Sequence, residues 1–228
     1  MKKKVVVLAS TATLALGLVA GATAAPVLEN ISAHLNWGIQ FKVNGQDWTA
    51  KNQEGNKLAP ITYNDDTYLP ARALAEALGT AVDWDNDTQT VIIGERLETV
   101  QINLEKIDAG YSSKVMATTD KQYTVQNGVD YKAGAVVSDV NSAQKDFKLV
   151  PDGKYQKLEL DFFGLELEED VDIKVYGAKD TVLKHVILSS SSSNRKVDLD
   201  IGGLKEVKVE FKSSPGASET VFTTGNYR

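Results

Sequence analysis

The chain contains no cysteine, which excludes disulfides, a lipid-modified cysteine and any thiolate nucleophile or metal ligand. Its only histidines are His34 and His185, so a transition-metal centre built mainly from imidazole and thiolate is excluded as well. No serine stands in a G-x-S-x-G elbow, and a Ser-His-Asp hydrolase organised around His185 therefore lacks its nucleophile turn. Beyond one apolar run at the N-terminus, no stretch approaches membrane-spanning length. Basic residues are outnumbered too, 25 against 31 acids.

The N-terminal run carries the first positive information. Lys2, Lys3 and Lys4 precede an apolar segment, Val5 to Val19, that ends in Ala22-Thr23-Ala24, the three regions of a secretory signal peptide cut after Ala24. A retained anchor is the alternative. Cleavage removes three lysines and no acid, leaving 22 basic against 31 acidic residues and a net charge of -9. That balance argues against nucleic acid or an anionic membrane surface as partner. The expected location is extracellular, or non-covalently associated with the cell wall because no LPxTG-type motif is present.

The remaining chain reads as two folding units. "IQFKVNGQDW" alternates Ile39, Phe41 and Val43 and turns at Asn44-Gly45, a strong hairpin signal. "LPARALAEALG" reads as one helix over 69–79, with Pro70 at its start, Gly79 at its end, and Leu74 and Leu78 on a buried face with Ala71 and Ala75. "AVDW" and "TVII" follow as two strands around "DNDTQ", with Val82 and Trp84 expected inward. From Tyr111 onward no helical period stands out. Short alternating runs, among them "KQYTVQNG", "AGAVVSDV", "KYQKLELDF", "VDIKVYG" and "EVKVEFK", are separated by Gly, Asp, Asn or Ser turns, as in a sandwich or barrel. The expected fold class is a small α+β domain of hairpins packed on one short helix, followed by an all-β antiparallel sandwich. Expected boundaries are a signal peptide at 1–24, a linker at 25–36, the small domain at 37–95, a second linker at 96–106, the sandwich at 107–212 and a loosely held tail at 213–228. The Ser189–Ser193 run reads as a solvated loop.

Asp83, Asp85 and Asp87 resemble the opening of a calcium loop, but an EF-hand needs Gly at position six and Glu at twelve, where this chain has Thr88 and Gly94. The triplet reads instead as a hairpin turn. Glu166, Glu168, Glu169, Asp170 and Asp172 crowd one charge-rich segment that reads as a solvated edge, and no pair among them is singled out for glycosidase chemistry. Tyrosines outside clear core positions are a different matter, because ring faces stack on apolar sugar faces while neighbouring polar groups fix orientation. Tyr111, Tyr123, Tyr131 and Tyr155 are the candidate carbohydrate-binding residues; each also fits a half-buried framework role.

Three stretches, "KVNGQ" (42–46), "TYLPARALAEALG" (67–79) and "VDWDNDTQTVII" (82–93), resemble the copper amine oxidase N-terminal-like domain, or stalk domain, of secreted Gram-positive proteins. The resemblance implies a spacer or interaction unit without copper, since amine oxidase chemistry belongs to a separate domain with three histidine ligands and a modified tyrosine. It also implies that the aspartates flank a hairpin turn after the helix. Ala71 departs from the larger apolar residue common in that family. Further on, "YTVQNGVDYKAG" (123–134), "DGKYQKLELDFFG" (152–164), "DIKVYG" (172–177) and "VDLDIGGLKEVKVEF" (197–211) resemble the NPCBM family, a carbohydrate-binding β-sandwich. There the glycine of the first segment leads into a histidine-containing stretch, where this chain has "AGAVVSDV".

The expectation is a secreted, non-catalytic protein with no cofactor and no metal, attaching to cell-wall or extracellular polysaccharide through its C-terminal sandwich. The alternative is a structural or protein–protein interaction module of the cell envelope.

Overall fold

A computed structural model describes residues 28–102, 105, 107–109, 114–192 and 194–228. The expected signal segment and Tyr111 lie outside them. Residues 28–33 carry no helix or strand, and His34 to Arg228 form one unit.

Its N-terminal part is made of small hairpins. β1 (His34–Leu35) pairs β4 (Ile61–Tyr63), which pairs β5 (Asp66–Tyr68), while β2 (Phe41–Val43) pairs β3 (Gln46–Trp48). The β2–β3 turn falls at Asn44 and Gly45, whose positive φ of 51° and 78° match the primed turn that fits strand twist. Helix α1 (Ala71–Ala77) follows Pro70, and the chain leaves it at Gly79, with φ 66°. β6 (Val82–Asp85) and β7 (Thr90–Ile93) form the hairpin around the acidic turn.

Two face assignments differ from expectation. α1 buries Ala73 and Ala75, leaving Leu74 at 37% and Leu78 at 55% exposure, and Trp84 is 45% exposed where an inward position was expected. A seven-residue helix beside two- to four-residue strands has too little sheet to cover both faces. Ala73 and Ala75 take the close contact, while Ala71, also expected on the buried face, stays at the surface with the two leucines.

The rest is the expected β-sandwich. One sheet runs β10 (Val115–Thr118), β13 (Gly134–Val140), β20 (Glu219–Tyr227), β15 (Lys157–Gly164) and β18 (Asn194–Asp200), with β8 (Val100–Gln101) also paired to β20. The other runs β17 (Val182–Leu188), β16 (Val171–Tyr176), β19 (Val207–Lys212), β14 (Lys145–Leu149) and β9 (Ile107–Asp108). All pairings are antiparallel. Alternation decides which side chains meet between the sheets: Leu158, Leu160 and Phe162 from β15 face Ile173, Val175, Val209 and Phe211, all fully buried. Phe211 stacks on Phe147 at 5.8 Å and receives Phe162 edge-on at 6.1 Å. Each fully buried apolar side chain of this size contributes about 1.5–3 kcal/mol.

Three segments depart from the sequence expectation. The 213–228 tail is no loose end: Glu219–Tyr227 runs between β13 and β15, burying Val221, Phe222, Thr223 and Thr224. Within the 96–106 linker, β8 joins the same sheet and Ile102, 2% exposed, enters the core. "KQYT" forms one helical turn, α2 (Lys121–Thr124), because Asp120 caps it by accepting the Gln122 N–H, before a hairpin of β11 (Val125–Gln126) and β12 (Val129–Asp130). The serine run is tied to the acidic segment, as Asp170 accepts both the N–H and the hydroxyl of Ser190.

The hairpin part docks on the sandwich through named contacts. The Val82 N–H donates to the Gly153 carbonyl at 3.2 Å, and the Ala81 N–H donates to Gln156 Oε1 at 3.1 Å. Gln156 Nε2 donates in turn to Asp200 at 2.7 Å. Gly202 makes the approach possible, since a Cβ there would lie 2.1 Å from the Gly79 carbonyl oxygen.

Candidate functional site

The outer face of the sheet containing β20 carries a second apolar cluster. Because β13, β20 and β15 alternate, Val136, Phe222 and Phe163 turn away from the sandwich core and meet one another. Phe163 lies 6.1 Å from Phe222 and 5.0 Å from Tyr131, and Tyr123 also packs on the group. Gly134 makes room for the Phe222 ring; a Cβ there would sit 2.5 Å from it and 2.4 Å from the Thr223 carbonyl oxygen.

The α2–β11–β12 segment brings the two tyrosines to this face. Its hairpin turns at Asn127 and Gly128, both with positive φ, and the Tyr131 N–H returns to the Thr124 carbonyl at 2.9 Å. Asp130 staples the base, accepting the Thr124 hydroxyl at 3.1 Å, the Lys132 N–H at 2.9 Å and the Lys132 ammonium at 2.9 Å. Led by the Lys132 side-chain hydrogen bond, these contacts hold the Asp130 carboxyl down to about 2.

Beside this segment opens a groove of about 860 Å³. Val136, Gly164, Leu165 and Thr220 line its sheet side, while Tyr123 and Met116 supply apolar surface. Lys114, Gln122, Gln126, Ser138 and Glu166 give it cationic, amide, hydroxyl and carboxylate groups. Gln126 is positioned by its own Nε2, which donates to the Tyr123 carbonyl at 2.8 Å. On the same sheet face, Lys196 pairs with Glu159 at 2.8 Å and lies across the strand pair from Asp161, whose carboxyl burial pushes up while Lys196 pulls it down. The face thus has an apolar–amide part and a charged part.

Tyr123 and Tyr131 are the two sequence candidates that the structure brings together. Tyr155 is elsewhere, stacked on Tyr227 at 4.6 Å with the Arg96 guanidinium 5.3 Å from its ring centroid, at the dock between hairpins and sandwich. Met116, Gln122 and Gln126 escaped sequence reading, and only the Asn127-Gly128 turn, by folding "YTVQNGVDY" back on itself, marked their neighbourhood.

The other sites weighed on sequence grounds resolve as follows. Asp83 pairs with Arg96 and, at 3.8 Å, with Lys154, while Asp85 accepts the N–H groups of Asp87 and Thr88 and the Thr88 hydroxyl. Those hydrogen bonds lower the Asp85 carboxyl. The three aspartates therefore do not converge, and among the described residues no group of three or more His, Asp or Glu is placed to hold a metal. His185 Nε2 meets Asp172 at 2.9 Å on the open surface of the other sheet, both side chains being more than two-fifths exposed. Glu219, 4% exposed, is a tie within the fold, accepting the N–H groups of Glu168 and Glu169.

Residues 42–144 match the family model of the copper amine oxidase N-terminal domain, a span that runs past the β6–β7 hairpin into the sandwich as far as the turn after β13. No curated protein matches the chain. Among solved structures, it is similar to the M60 catalytic domain with the CBM51-1 and CBM51-2 domains from Clostridium perfringens ZmpB, at 11% identity and a TM-score of 0.44, covering 64% of this chain and 17% of that one. It is also similar to CBM51 from Clostridium perfringens GH95, solved with methyl-galactose, at 14% identity and a TM-score of 0.42, covering 57% and 100% of the two chains. A third is CsCBM6-3 from Clostridium stercorarium in complex with cellobiose, at 12% identity and a TM-score of 0.36, covering 59% and 96%.

Proposed function

We propose that this protein is a secreted, non-catalytic binding protein that holds an extracellular or cell-wall polysaccharide in the groove beside Tyr123. One observation carries the reading: an open groove combines a tyrosine with amide, hydroxyl and carboxylate side chains on an otherwise regular sheet face. Sugars need that mixture, because their CH faces bury against apolar surface while their hydroxyls exchange hydrogen bonds with fixed polar groups. An open groove also admits a polymer chain that continues past the bound unit. The lysine-led apolar N-terminus supports export.

The test is retention of the mature protein on insoluble cell-wall polysaccharide, compared with Tyr123→Ala and Gln126→Ala. Both residues are half-buried, Tyr123 packing on the Phe163–Phe222 cluster, so each variant's melting temperature is measured beside its retention. Tyr123→Leu, which keeps apolar bulk without the ring, separates lost stacking from lost packing. Loss of ring stacking is expected to weaken retention about tenfold, equivalent to 1.4 kcal/mol. Retention that is absent, or that survives Tyr123→Ala unchanged, sinks the reading.

A protein-interaction role is the second reading, favoured by the exposed Leu74, Leu78, Trp84, Val91 and Ile93 around α1 and the β6–β7 hairpin. Light scattering decides it: wild-type protein that self-associates, and a Leu78→Ser variant that does not, would support it.

A further inference from the structure

We propose that the β2–β3 hairpin carries a second saccharide site, separate from the sandwich groove and independent of it. Phe41 and Trp48 face each other across the two strands, with ring centroids 6.0 Å apart and planes at 71°. Together with Trp37 they line a pocket of about 380 Å³, within the range of small-molecule sites. Trp37 is 66% exposed, so this large ring contributes little to the fold and presents most of its surface outward.

The remaining lining decides the ligand class. Gln40, Asp47 and Lys57 reach the same pocket, and all three are exposed. Asp47 is also 3.5 Å from Lys42, so its carboxylate is already neutralised in part. A free cation would meet Lys57 and a partly paired acid, which is a poor aromatic cage. A wholly apolar ligand would strand the polar side chains. A pyranose satisfies both halves: its CH face covers an indole while vicinal hydroxyls take an amide, a carboxylate and an ammonium.

The chain's own tryptophans separate this site from the other. Its three tryptophans are Trp37, Trp48 and Trp84, and the sandwich has none. In a Trp84→Phe background, tryptophan emission therefore reports the hairpin pocket and is blind to the Tyr123 groove. The soluble probes are cellotetraose, chitotetraose and β-1,4-galactotriose, each titrated to about 10 mM, beyond the millimolar range of weak single sites. The expected result is a saturable emission change with at least one of them. It should weaken at least about tenfold after Trp37→Ala, with Trp48 still reporting, and persist after Tyr123→Ala. No change with any of the three, a change that survives Trp37→Ala, or a response only to a polyproline peptide overturns the proposal. None of these outcomes touches retention through the groove, which Tyr123→Ala reads separately.

Discussion

Asp83 in the β6–β7 hairpin forms an ion pair with Arg96, and the same guanidinium lies over the ring of Tyr155 at the foot of the sandwich. Lys154 approaches Asp83 from the sandwich side at 3.8 Å. Both members of the main pair are largely covered, with side-chain exposures of 16% and 20%, and Arg96 Nε is buried without a hydrogen-bond partner. An acid of a surface turn thus becomes part of a dock.

Asp83→Ala leaves that guanidinium without its carboxylate. The expected cost is about 1.5–3 kcal/mol, as for a hydrogen bond to a charged group. Urea unfolding measures it, and proteolysis is expected to quicken in the exposed 97–99 stretch as the dock loosens. Asp87→Ala, at the exposed turn, is the control and should change stability by less than about 0.5 kcal/mol.

Deleting residues 213–228 removes β20, the strand held between β13 and β15. The truncated chain is expected to lose cooperative unfolding and near-ultraviolet circular dichroism, because the cut exposes both flanking strand edges and removes the buried Val221, Phe222 and Tyr227 side chains. A truncated protein with a sharp melt would show the strand to be dispensable.

Gly134→Ala forces a Cβ against the Phe222 ring and the Thr223 carbonyl oxygen. Overpacking of this kind costs about 1–3 kcal/mol. Denaturation should show that loss, and because Phe222 supports Phe163 and Tyr131, glycan retention should fall with it. At Gly45, where a Cβ meets nothing within 4 Å, Ala is expected to cost only its backbone strain of about 1 kcal/mol.

Asp130 sets a pH dependence. Its carboxyl falls from 3.8 to about 2 in the fold, led by the Lys132 hydrogen bond, so the ionised form is favoured by folding. Stability from this group is therefore complete above the unfolded value and disappears as pH falls through the folded one. The melting-temperature advantage of wild type over Asp130→Asn should be present at about pH 5, shrink below about pH 4 and close only below about pH 2. A gap that stays constant across that window would remove Asp130 as the cause.

Local chemistry was legible in the chain. Alternation in "KLELDFF" and "VDIKVY" set which side chains could share a face, Asn44-Gly45 and Asn127-Gly128 set turns, and Pro70 and Gly79 bracketed the helix. Absent thiols and scarce imidazoles narrowed the chemistry before any fold was known. Tertiary structure alone decided which strand stands beside which. β20 is rich in threonine, with glycine and asparagine, and reads locally as a polar tail, yet Phe222 pairs with Val136 on one side and Phe163 on the other, partners far away in sequence. It also decided that Leu74 and Trp84 stay outside, that Asp83 finds Arg96, and that Tyr123 lines the groove beside β13 while Tyr155 stacks on Tyr227. Sheet pairing and burial are non-local: periodicity limits which face a residue can take, but the partner that covers that face comes from elsewhere in the chain.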